Sequence, residues 1–401
     1  MKPKTCLSCI GTRPEIIKMA PVHKALVQQG HRSLILHTGQ HESIADALYQ
    51  FFDMEPDVSI DLQRKSTSLA HLTSALIDGV EAAMSALNPD IILVQGDTTS
   101  ALAGALIGYY HNKPVGHVEA GLRTWAREPF PEEKNREMIG RLAHWHFPPT
   151  RQARYNLLGE GISASHIFEV GNTVIDAALW TRDRIADPVH GQRQAMPEML
   201  AQFMAQHGRR RMILITAHRR ENWGQPIRNI ANAVATILAA HPDVVAVWPV
   251  HPNPAVRLDV EREFASLPAA LRERICLTAP LGYQTLIGLL VHCHFTLTDS
   301  GGIQEEASAF GKPVLIARTS TERQELVNVG GARLVGTDIE TITQIAHLLL
   351  TDQVAYHAMQ LAHSPFGDGQ SAARIADVIT HAALVDGVWT CGALYTERRA
   401  A

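Results

Sequence analysis

The sequence predicts an α/β protein built from two doubly wound domains. Short apolar runs rich in Val, Ile and Leu alternate along the chain with longer segments of helical period. Most of these runs lack the polar alternation of half-exposed strands, which is typical of strands buried on both faces of a parallel sheet. The chain has 401 residues, which is long for one hydrophobic core, so two domains are the default expectation.

Ten apolar runs are the predicted strands. In chain order they are TCLSCI, SLILHT, DIILVQ, PVGHVE, HIFEV, MILIT, VVAVWPV, RICLTA, HFTLT and PVLIA. Helical stretches lie between them, and the clearest cover 14–29, 100–110, 227–240 and 304–310. This alternation predicts parallel sheets with helices on their faces.

The domain junction is predicted where the alternation pauses, at about residues 172–210. The first domain then covers 1–172 and the second covers 173–365. The last helix, about 366–385, is a candidate to pack back on the first domain. The tail 386–401 has a weak pattern, and we interpret it as an appendage.

Composition and charge exclude several classes of function. Apolar residues make up 46% of the chain and charged residues 19%, with a formal net charge of −4. There is therefore no global basic field for nucleic acid or an anionic membrane. No apolar run reaches the roughly 18 residues of a membrane span, and no secretory h-region opens the chain. We expect a cytoplasmic protein without nucleic-acid or membrane partners.

The cysteine spacing and the absence of cofactor motifs narrow the kinds of site that we expect in this chain. Five cysteines in this spacing fit neither a disulfide framework nor a zinc site. Cys6 and Cys9 form a CxxC inside a predicted buried strand, which favours small core residues over a redox pair. GxGxxG, GxxxxGK[ST] and HExxH motifs are absent, so we expect no cofactor and no metal.

Polar side chains follow seven of the predicted strands. These endings are GTRPE, TGQH, GDT, EAGLR, HRR, His251 and DSGG. Ligands of parallel α/β sheets bind beyond the carboxyl ends of the strands. One such ending is weak evidence, because turns favour Gly and Asp anyway. Seven endings in both halves predict two rims that face one cleft.

Two of these endings predict anion binding. In DSGGIQEE, the N–H groups of a helix start and the hydroxyl of Ser300 can bind a phosphate oxygen. A plain strand-helix turn is an equal alternative. Arg13 and Lys18, in and after GTRPE, can reach a diphosphate, although a solvated helix start with Pro14 at its first position is the alternative. Glu306 can accept hydrogen bonds from ribose hydroxyls.

Other endings predict acid/base chemistry. Asp97 and Glu119 end consecutive predicted strands, and if those strands are neighbours the crowded carboxylates push one pKa upward. Glu132 and Glu133 follow after a loop, where a helix N-terminal glutamate is the alternative. His218 precedes two arginines and can polarise a leaving phosphate or relay a proton. His251 resembles it, whereas His117 lies within a strand and is interpreted as a buried histidine. 

Together these residues resemble the non-hydrolysing UDP-N-acetylglucosamine 2-epimerase family. The matching segments extend in order to about residue 375; they are GTRPEIIKMAPV, TGQH, VQGDTTSALAG, PVGHVEAGLRT, PFPEEKNRE, VGNTVIDA, TAHRREN, PVHPNP, TDSGGIQEEA, GKPVL, TERQE and PFGDG. The resemblance implies a glycosyltransferase-B-type fold with two Rossmann-like lobes. It also implies reversible conversion of UDP-GlcNAc to UDP-ManNAc, by elimination of UDP to a 2-acetamidoglucal and re-addition.

The resemblance also implies roles for individual residues. Asp97, Glu119 and Glu132 would be the acid/base carboxylates, and His218 would assist departure of UDP. The implied substrate-binding residues are Arg13, Lys18, Arg136, Asn172, Arg219, His251, Tyr283, Ser300, Gly301, Gly302, Glu306 and Arg323. The partners would be a UDP-amino sugar and UDP. A homodimer is expected, although the sequence itself says little about oligomeric state.

Three departures from the family pattern matter. The loop WAREPF is one residue shorter than usual, which leaves Glu132 and Glu133 as alternatives. Two polar positions of the family's regulatory UDP-GlcNAc site are Ser43 and Ser66 here, while Gln40 and His251 remain, so we expect substrate not to activate the enzyme in the usual way. The tail after Val385 has no counterpart.

Three alternative functions stay open. The first is 2-epimerisation of UDP-2,3-diacetamido-glucuronate, since Arg127 in WAREPF offers a cation for a C6 carboxylate. The second is a glycosyl transferase on the same fold, which would lack the carboxylate cluster. The third is a non-catalytic UDP-sugar-binding protein, which loss of Asp97, Glu119 or His218 would have supported.

Overall fold

The chain forms two compact units in the computed structural model, which describes residues 2–39, 42–62, 68–187, 196–385 and 388–391. Unit 1 comprises Met1–Ala177 and Phe366–Ala401, and unit 2 comprises Ala178–Pro365. Each unit contains a six-stranded parallel sheet flanked by helices, so the predicted α/β class is confirmed. In the described residues, no helix is both long and apolar enough to cross a membrane.

The described strands number fourteen in chain order. They are β1 (Thr5–Ile10), β2 (Arg32–His37), β3 (Val58–Ser59), β4 (Ile91–Gln95), β5 (Val115–Val118), β6 (Trp145–Phe147), β7 (Arg211–Thr216), β8 (Val244–Pro249), β9 (Ile275–Thr278), β10 (Phe295–Thr298), β11 (Val314–Ile316), β12 (Ala332–Leu334), β13 (Ala382–Val385) and β14 (Val388–Cys391). The sheet of unit 1 has the order β3-β2-β1-β4-β5-β6, and that of unit 2 has the order β12-β11-β10-β7-β8-β9.

The described α-helices follow the same alternation. They are α1 (Arg13–Gln28), α2 (Glu42–Phe51), α3 (Leu69–Leu87), α4 (Thr99–Tyr110), α5 (Glu132–Leu142), α6 (Arg151–Gly159), α7 (Thr173–Ala186), α8 (Glu198–His207), α9 (Gln225–Ala240), α10 (Pro254–Ala265), α11 (Ala269–Arg272), α12 (Tyr283–His292), α13 (Gly301–Ala309), α14 (Gln324–Asn328), α15 (Ile339–Thr351), α16 (Gln353–Met359) and α17 (Ser371–His381). The boundary between the units falls inside α7.

The buried strands explain why the apolar runs could be recognised. Every residue of β4 is buried, and four of the six residues of β1 pair in parallel with it. In unit 2, α9 turns one apolar stripe to the core, because Ile227, Ile230, Val234 and Ile237 recur at helical spacing and are buried. The apolar runs that alternate with helical segments therefore reflect strands buried on both faces of each sheet.

The cysteine interpretation is confirmed at the first strand. Cys6 and Cys9 are free, fully buried residues of β1. Burial raises the pKa of each thiol to about 12. Neither thiol is therefore available as a thiolate near neutral pH.

One predicted strand is wrong and several short ones were not predicted. HIFEV forms no strand; within it only Ile167 makes an isolated parallel bridge, to His146. The sheet position beside β5 is taken by β6 instead. The strands β3, β6 and β12 contain two or three residues each, too few to give a recognisable apolar run.

The C-terminal segment packs against the first helix of unit 1. The Lys4 ammonium donates to the carbonyls of Ile379 and Thr380 in α17 at 2.7 and 2.8 Å. Beyond α17, the strands β13 and β14 form an antiparallel hairpin. Its Trp389 contacts Trp145 edge-on, at 6.1 Å between ring centroids. The residues after Cys391 lie outside the described part of the chain.

Candidate active site

A buried glutamate ties the ends of two strands together in unit 1. Glu15 accepts from the N–H groups of Gly11 and Thr12 at 2.9 and 2.6 Å, through one oxygen. Its other oxygen accepts from the Thr98 hydroxyl at 2.6 Å. Burial raises the pKa of Glu15, and these hydrogen bonds oppose the rise. The turns after β1 and β4 are thereby fixed relative to each other.

Glu119 is held in a defined position by two polar side chains. Lys18, one turn into α1, places its ammonium 2.6 Å from Glu119 Oε2. The Gln95 amide, at the end of β4, donates to the same oxygen. Glu119 has a positive φ of 64°, a conformation that a non-glycine residue adopts at a cost and that clusters at functional sites.

Asp97 lies at the end of the neighbouring strand, as predicted. The register pairs Gln95 with Val118, which confirms that β4 and β5 are adjacent. The guanidinium of Arg136 approaches Asp97 Oδ2 at 2.7 Å through Nε and at 2.6 Å through a terminal nitrogen. Partial burial raises the pKa of Asp97; Arg136 opposes the rise and the charge of Glu119 adds to it.

The two glutamates at the start of α5 have different surroundings. Glu133 is buried and accepts from the N–H groups of Thr124 and Trp125 at 2.9 and 3.0 Å. It also pairs with Arg136 at 3.0 Å. Burial works against its charge, but the hydrogen bonds from Thr124 and Trp125 prevail and lower the pKa of Glu133. Glu132 is half-buried, and its side chain makes no hydrogen bond or ion pair within the described ranges.

Two other predicted residues of unit 1 lie at helix starts. Arg13 is the first residue of α1, half-buried, and forms no ion pair with the part of the chain that the structure describes. Asn172 is buried just before α7, where its side chain accepts from the N–H of Val174 at 3.1 Å. Its own N–H donates to the carbonyl of Phe366 at 2.6 Å. The contacts of Asn172 thus join α7 to the returning C-terminal segment.

In unit 2, a fully buried aspartate organises the HRREN segment. Asp299 Oδ2 accepts from the N–H groups of His218 and Arg219 at 2.8 Å each and from the Asn222 amide at 2.9 Å. The imidazole of His218 stacks on that of His251, with centroids 5.7 Å apart. Partial burial lowers the pKa of His218; Asp299 raises it, and His251 and Arg219 lower it.

The glycines of DSGG form the first turn of a helix. Ser300 is the N-cap of α13, and its own N–H donates to the Thr298 hydroxyl at 3.0 Å. A Cβ on Gly302 would meet nothing within 4 Å, and one on Gly301 would lie 3.6 Å from the guanidinium carbon of Arg323. Arg323 pairs with buried Glu305 at 2.5 Å. The helix start is therefore open beside Gly302 and has a cation beside Gly301.

Tyr283 and Glu306 lie together in unit 2. Both side chains are buried, Tyr283 at the start of α12 and Glu306 within α13. Burial raises the pKa of the phenol well above its usual value, and the carboxylate of Glu306 raises it further. Among the described residues, no three His, Cys, Asp or Glu side chains are grouped so as to hold a metal ion.

Comparison with known proteins identifies the family. The family model for UDP-N-acetylglucosamine 2-epimerase matches residues 24–380. A UDP-N-acetylglucosamine 2-epimerase from Yersinia pestis is 43% identical over 92% of this chain and 96% of its own length. One from Escherichia coli strain K12 is 41% identical over 93% and 97%. This chain belongs to the UDP-N-acetylglucosamine 2-epimerase family, a family of isomerases.

Solved structures of the 2-epimerase family share the fold. A putative 2-epimerase from Listeria monocytogenes matches with a TM-score of 0.84 and 39% identity, covering 94% of this chain and 96% of that one. The Neisseria meningitidis 2-epimerase bound to UDP-GlcNAc matches with a TM-score of 0.83 and 35% identity, covering 94% and 99%. The predicted family and fold class are thus confirmed.

Sequence reasoning did not single out four residues that support the site. Glu15 could have been found, because TRPE has the T-x-x-E spacing of a capping box. Asp299 was recognised only as part of the strand ending DSGG. The supporting roles of Gln95, Asp299 and Glu305 depend on contacts distant in sequence, which no local spacing indicates.

The expected loss of substrate activation at the family's regulatory site stays a prediction. Gln40 and Ser66 lie outside the described residues, as does the side chain of Ser43. His251 alone of that set is described, and it stacks on His218.

Proposed function

We propose that this chain catalyses the reversible 2-epimerisation of UDP-GlcNAc to UDP-ManNAc without hydrolysing it. One observation carries the proposal: Asp97 and Glu119 follow neighbouring strands, and each is paired with its own cation, Arg136 or Lys18. Inversion at C2 needs one group to remove a proton and another to return it to the opposite face. Two carboxyl groups in different surroundings meet that need.

The proposed first step is elimination. A carboxylate accepts the C2 proton while the C1–O bond breaks, and the electron pair of that bond stays on the β-phosphate oxygen of UDP. The electrons of the C2–H bond form the C1=C2 double bond of 2-acetamidoglucal. Because the C2 proton is weakly acidic, a positioned base has to act together with stabilisation of the leaving group.

The proposed second step reverses the first on the other face of the sugar. A protonated carboxyl group returns a proton to C2, and the UDP oxygen attacks C1. The raised pKa of Asp97 suits that residue to hold a proton in this exchange. Glu119 and Glu132 complete the proposed acid/base set, and the absence of hydrogen bonds to Glu132 within the described ranges leaves its carboxylate available.

We assign UDP recognition mainly to unit 2. The first N–H groups of α13, at Gly301 and Gly302, together with the Ser300 hydroxyl suit a phosphate oxygen. Arg219 and Arg323 supply positive charge there, and Arg13 is the further proposed diphosphate contact. Glu306 is proposed to accept from the ribose hydroxyls, with Tyr283 near the base, and His218 to stabilise the departing UDP.

The test is incubation of the enzyme with UDP-GlcNAc in D₂O, followed by NMR and mass spectrometry. We expect deuterium at C2, formation of the manno epimer, and no accumulation of free N-acetylmannosamine. A parallel reaction with UDP-2,3-diacetamido-glucuronate tests the alternative suggested by Arg127, which lies over the ring of Phe130 at 5.7 Å. If UDP-GlcNAc is recovered unlabelled while the uronate reacts, the uronate is the substrate and the proposed substrate is wrong.

Cytoplasmic location and a homodimer are further proposals. Support for a reducing compartment comes from the free thiols Cys6, Cys9, Cys276 and Cys293. The homodimer rests on the family resemblance, and light scattering of the purified protein tests it.

A further inference from the structure

Asp299 is a fully buried carboxylate with two different oxygens. It follows β10 directly, and its side chain has no solvent exposure. Oδ2 accepts from the N–H groups of His218 and Arg219 and from the Asn222 amide. Oδ1 makes no hydrogen bond with the residues that the structure describes, and it lies 3.5 Å from Nδ1 of His218.

A buried carboxylate oxygen without a donor is costly, since burial removes the water that would otherwise solvate it. The imidazole Nδ1, 3.5 Å away, reaches hydrogen-bond distance once the ring moves by roughly a few tenths of an ångström. Hydrogen bonds of catalytic groups are often long without substrate and shorten when the ligand binds. A buried aspartate that fixes the tautomer and orientation of an imidazole is a known device for placing the second ring nitrogen.

We propose that Asp299 is a positioning residue that holds the Nδ1–H of His218 and directs Nε2 to the leaving phosphate oxygen. This inference rests on the proposed function. When the C1–O bond breaks, the Nε2 proton of the imidazolium is donated to the β-phosphate oxygen, which keeps the bonding electron pair. Nδ1–H stays bonded to Asp299, and re-addition of UDP returns the proton to Nε2.

The charges around His218 make Asp299 the distinctive partner. His251 stacks on the ring from the end of β8, and Arg219 is the next residue along the chain. Both oppose a positive charge on the imidazole, as does partial burial. Among the described groups that shift the pKa of His218, Asp299 is the one that favours the imidazolium. Removal of its charge should therefore disfavour the protonated donor.

The test is the substitution Asp299→Asn, which distinguishes the roles of the two carboxylate oxygens. The Asn carbonyl can still accept from the three N–H groups, so the HRREN segment keeps its hydrogen bonds. The Asn amide then faces Nδ1 of His218 as a donor, which leaves Nδ1 unprotonated and the single proton of the neutral ring on Nε2. We expect kcat to fall by roughly 10²–10⁴-fold, as for loss of an orienting aspartate elsewhere, while the Kd for UDP changes by no more than about threefold.

The readout specific to positioning is the tautomer and protonation state of His218 in the UDP complex, measured by ¹⁵N NMR. We expect protons on both Nδ1 and Nε2 in the wild type, and a proton on Nε2 alone in Asp299→Asn. The matched control is Asp338→Asn in the same unit. Asp338 caps α15 by accepting from Thr341 N at 2.8 Å, and asparagine caps equally well, so kcat and tautomer should both stay unchanged.

Each outcome decides the proposal. Near-normal kcat in Asp299→Asn, or lower kcat with an unchanged tautomer, overturns it. If the variant does not fold, the wild-type protein decides, since an unprotonated Nδ1 there removes the Asp299 contact. Wild-type enzyme that leaves UDP-GlcNAc unchanged overturns the proposed function instead, and the tautomer comparison, which needs no turnover, still tests the contact between Asp299 and His218.

Discussion

Lys18 on the first helix and Glu119 after the fifth strand form an ion pair, with 2.6 Å between Nζ and Oε2. Their side chains are only 13% and 6% exposed. A carboxylate so buried depends on its cation, because solvent cannot replace the lost partner. This pair therefore links the stability of unit 1 to the placement of a proposed catalytic group.

Lys18→Met should destabilise the protein and lower turnover. Loss of one partner of a buried pair costs about 3–5 kcal/mol of unfolding free energy, and we expect C2 deuterium exchange to fall more than about tenfold. Lys24→Met is the control, since Lys24 is on the same helix and pairs with Asp53 at 3.8 Å near the surface, a contact worth about 0–1 kcal/mol. Equal losses in both variants, measured by denaturant unfolding, would contradict the prediction.

Asp97→Asn should abolish C2 deuterium exchange and keep UDP binding. The asparagine oxygen can still accept from Arg136, so the fold and the loop should remain. Mass spectrometry of recovered UDP-GlcNAc and calorimetry with UDP make the measurement. Asp90→Asn is the control, since Asp90 accepts from Thr5 N at 2.8 Å on the exposed side. Near-normal exchange in Asp97→Asn would remove Asp97 from the mechanism.

Glu132→Gln and Glu133→Gln should fail in different ways. The side chain of Glu132 has no hydrogen-bond partner among the described residues, so its variant should keep its unfolding free energy and lose exchange. Glu133 orders the loop through Thr124 and Trp125, so its variant should lose stability.

The pH dependence of stability distinguishes the structural role of Glu133 from that of Glu132. The pKa of Glu133 is lowered, so its contribution to stability is present above its ordinary pKa of 4.5 and is lost as pH falls through the lowered value. Glu133→Gln should remove that acid dependence and Glu132→Gln should keep it. Stability curves with the reverse assignment would exchange the two roles.

Two buried histidines should make unit 1 sensitive to acid. Burial lowers the pKa of His117 from 6.5 to about 4 and that of His146 to about 3. Between those values and 6.5 the unfolded chain binds more protons, so stability is full above 6.5 and falls with pH by up to about 1.4 kcal/mol per pH unit for each histidine.

His146→Gln should flatten that dependence. Denaturant midpoints between pH 7 and pH 4 give the slope, and His71→Gln is the control because His71 is exposed on α3. An unchanged slope in His146→Gln, or an equal change in His71→Gln, would contradict the assignment.

From the sequence we could predict the features that depend on long, buried strands. Asp97 and Glu119 could be placed side by side because each ends an apolar run, and the register confirms the adjacency. By contrast, β6 has three residues, with His146 at its centre and His144 just before it, so no apolar run marked it and HIFEV was assigned in its place.

The partners of the side chains in the site could not be predicted from the sequence, for a different reason. Arg136 meets Asp97 across 39 residues of sequence and Lys18 meets Glu119 across 101. Such contacts depend on helix rotation and rotamers, which hydrophobic period does not specify. The catalytic and binding roles of all these residues stay predictions until the variants are measured.

The return of the chain to unit 1 at Phe366 has a consequence for biosynthesis. The helix α17 supplies Ile375 and Ile379 to the buried interior, and the ribosome makes it only after all of residues 178–365. Unit 2 is therefore complete while the first unit still has an open apolar face. During translation that face is exposed to chaperones and proteases, and a message truncated after Pro365 would leave it exposed permanently.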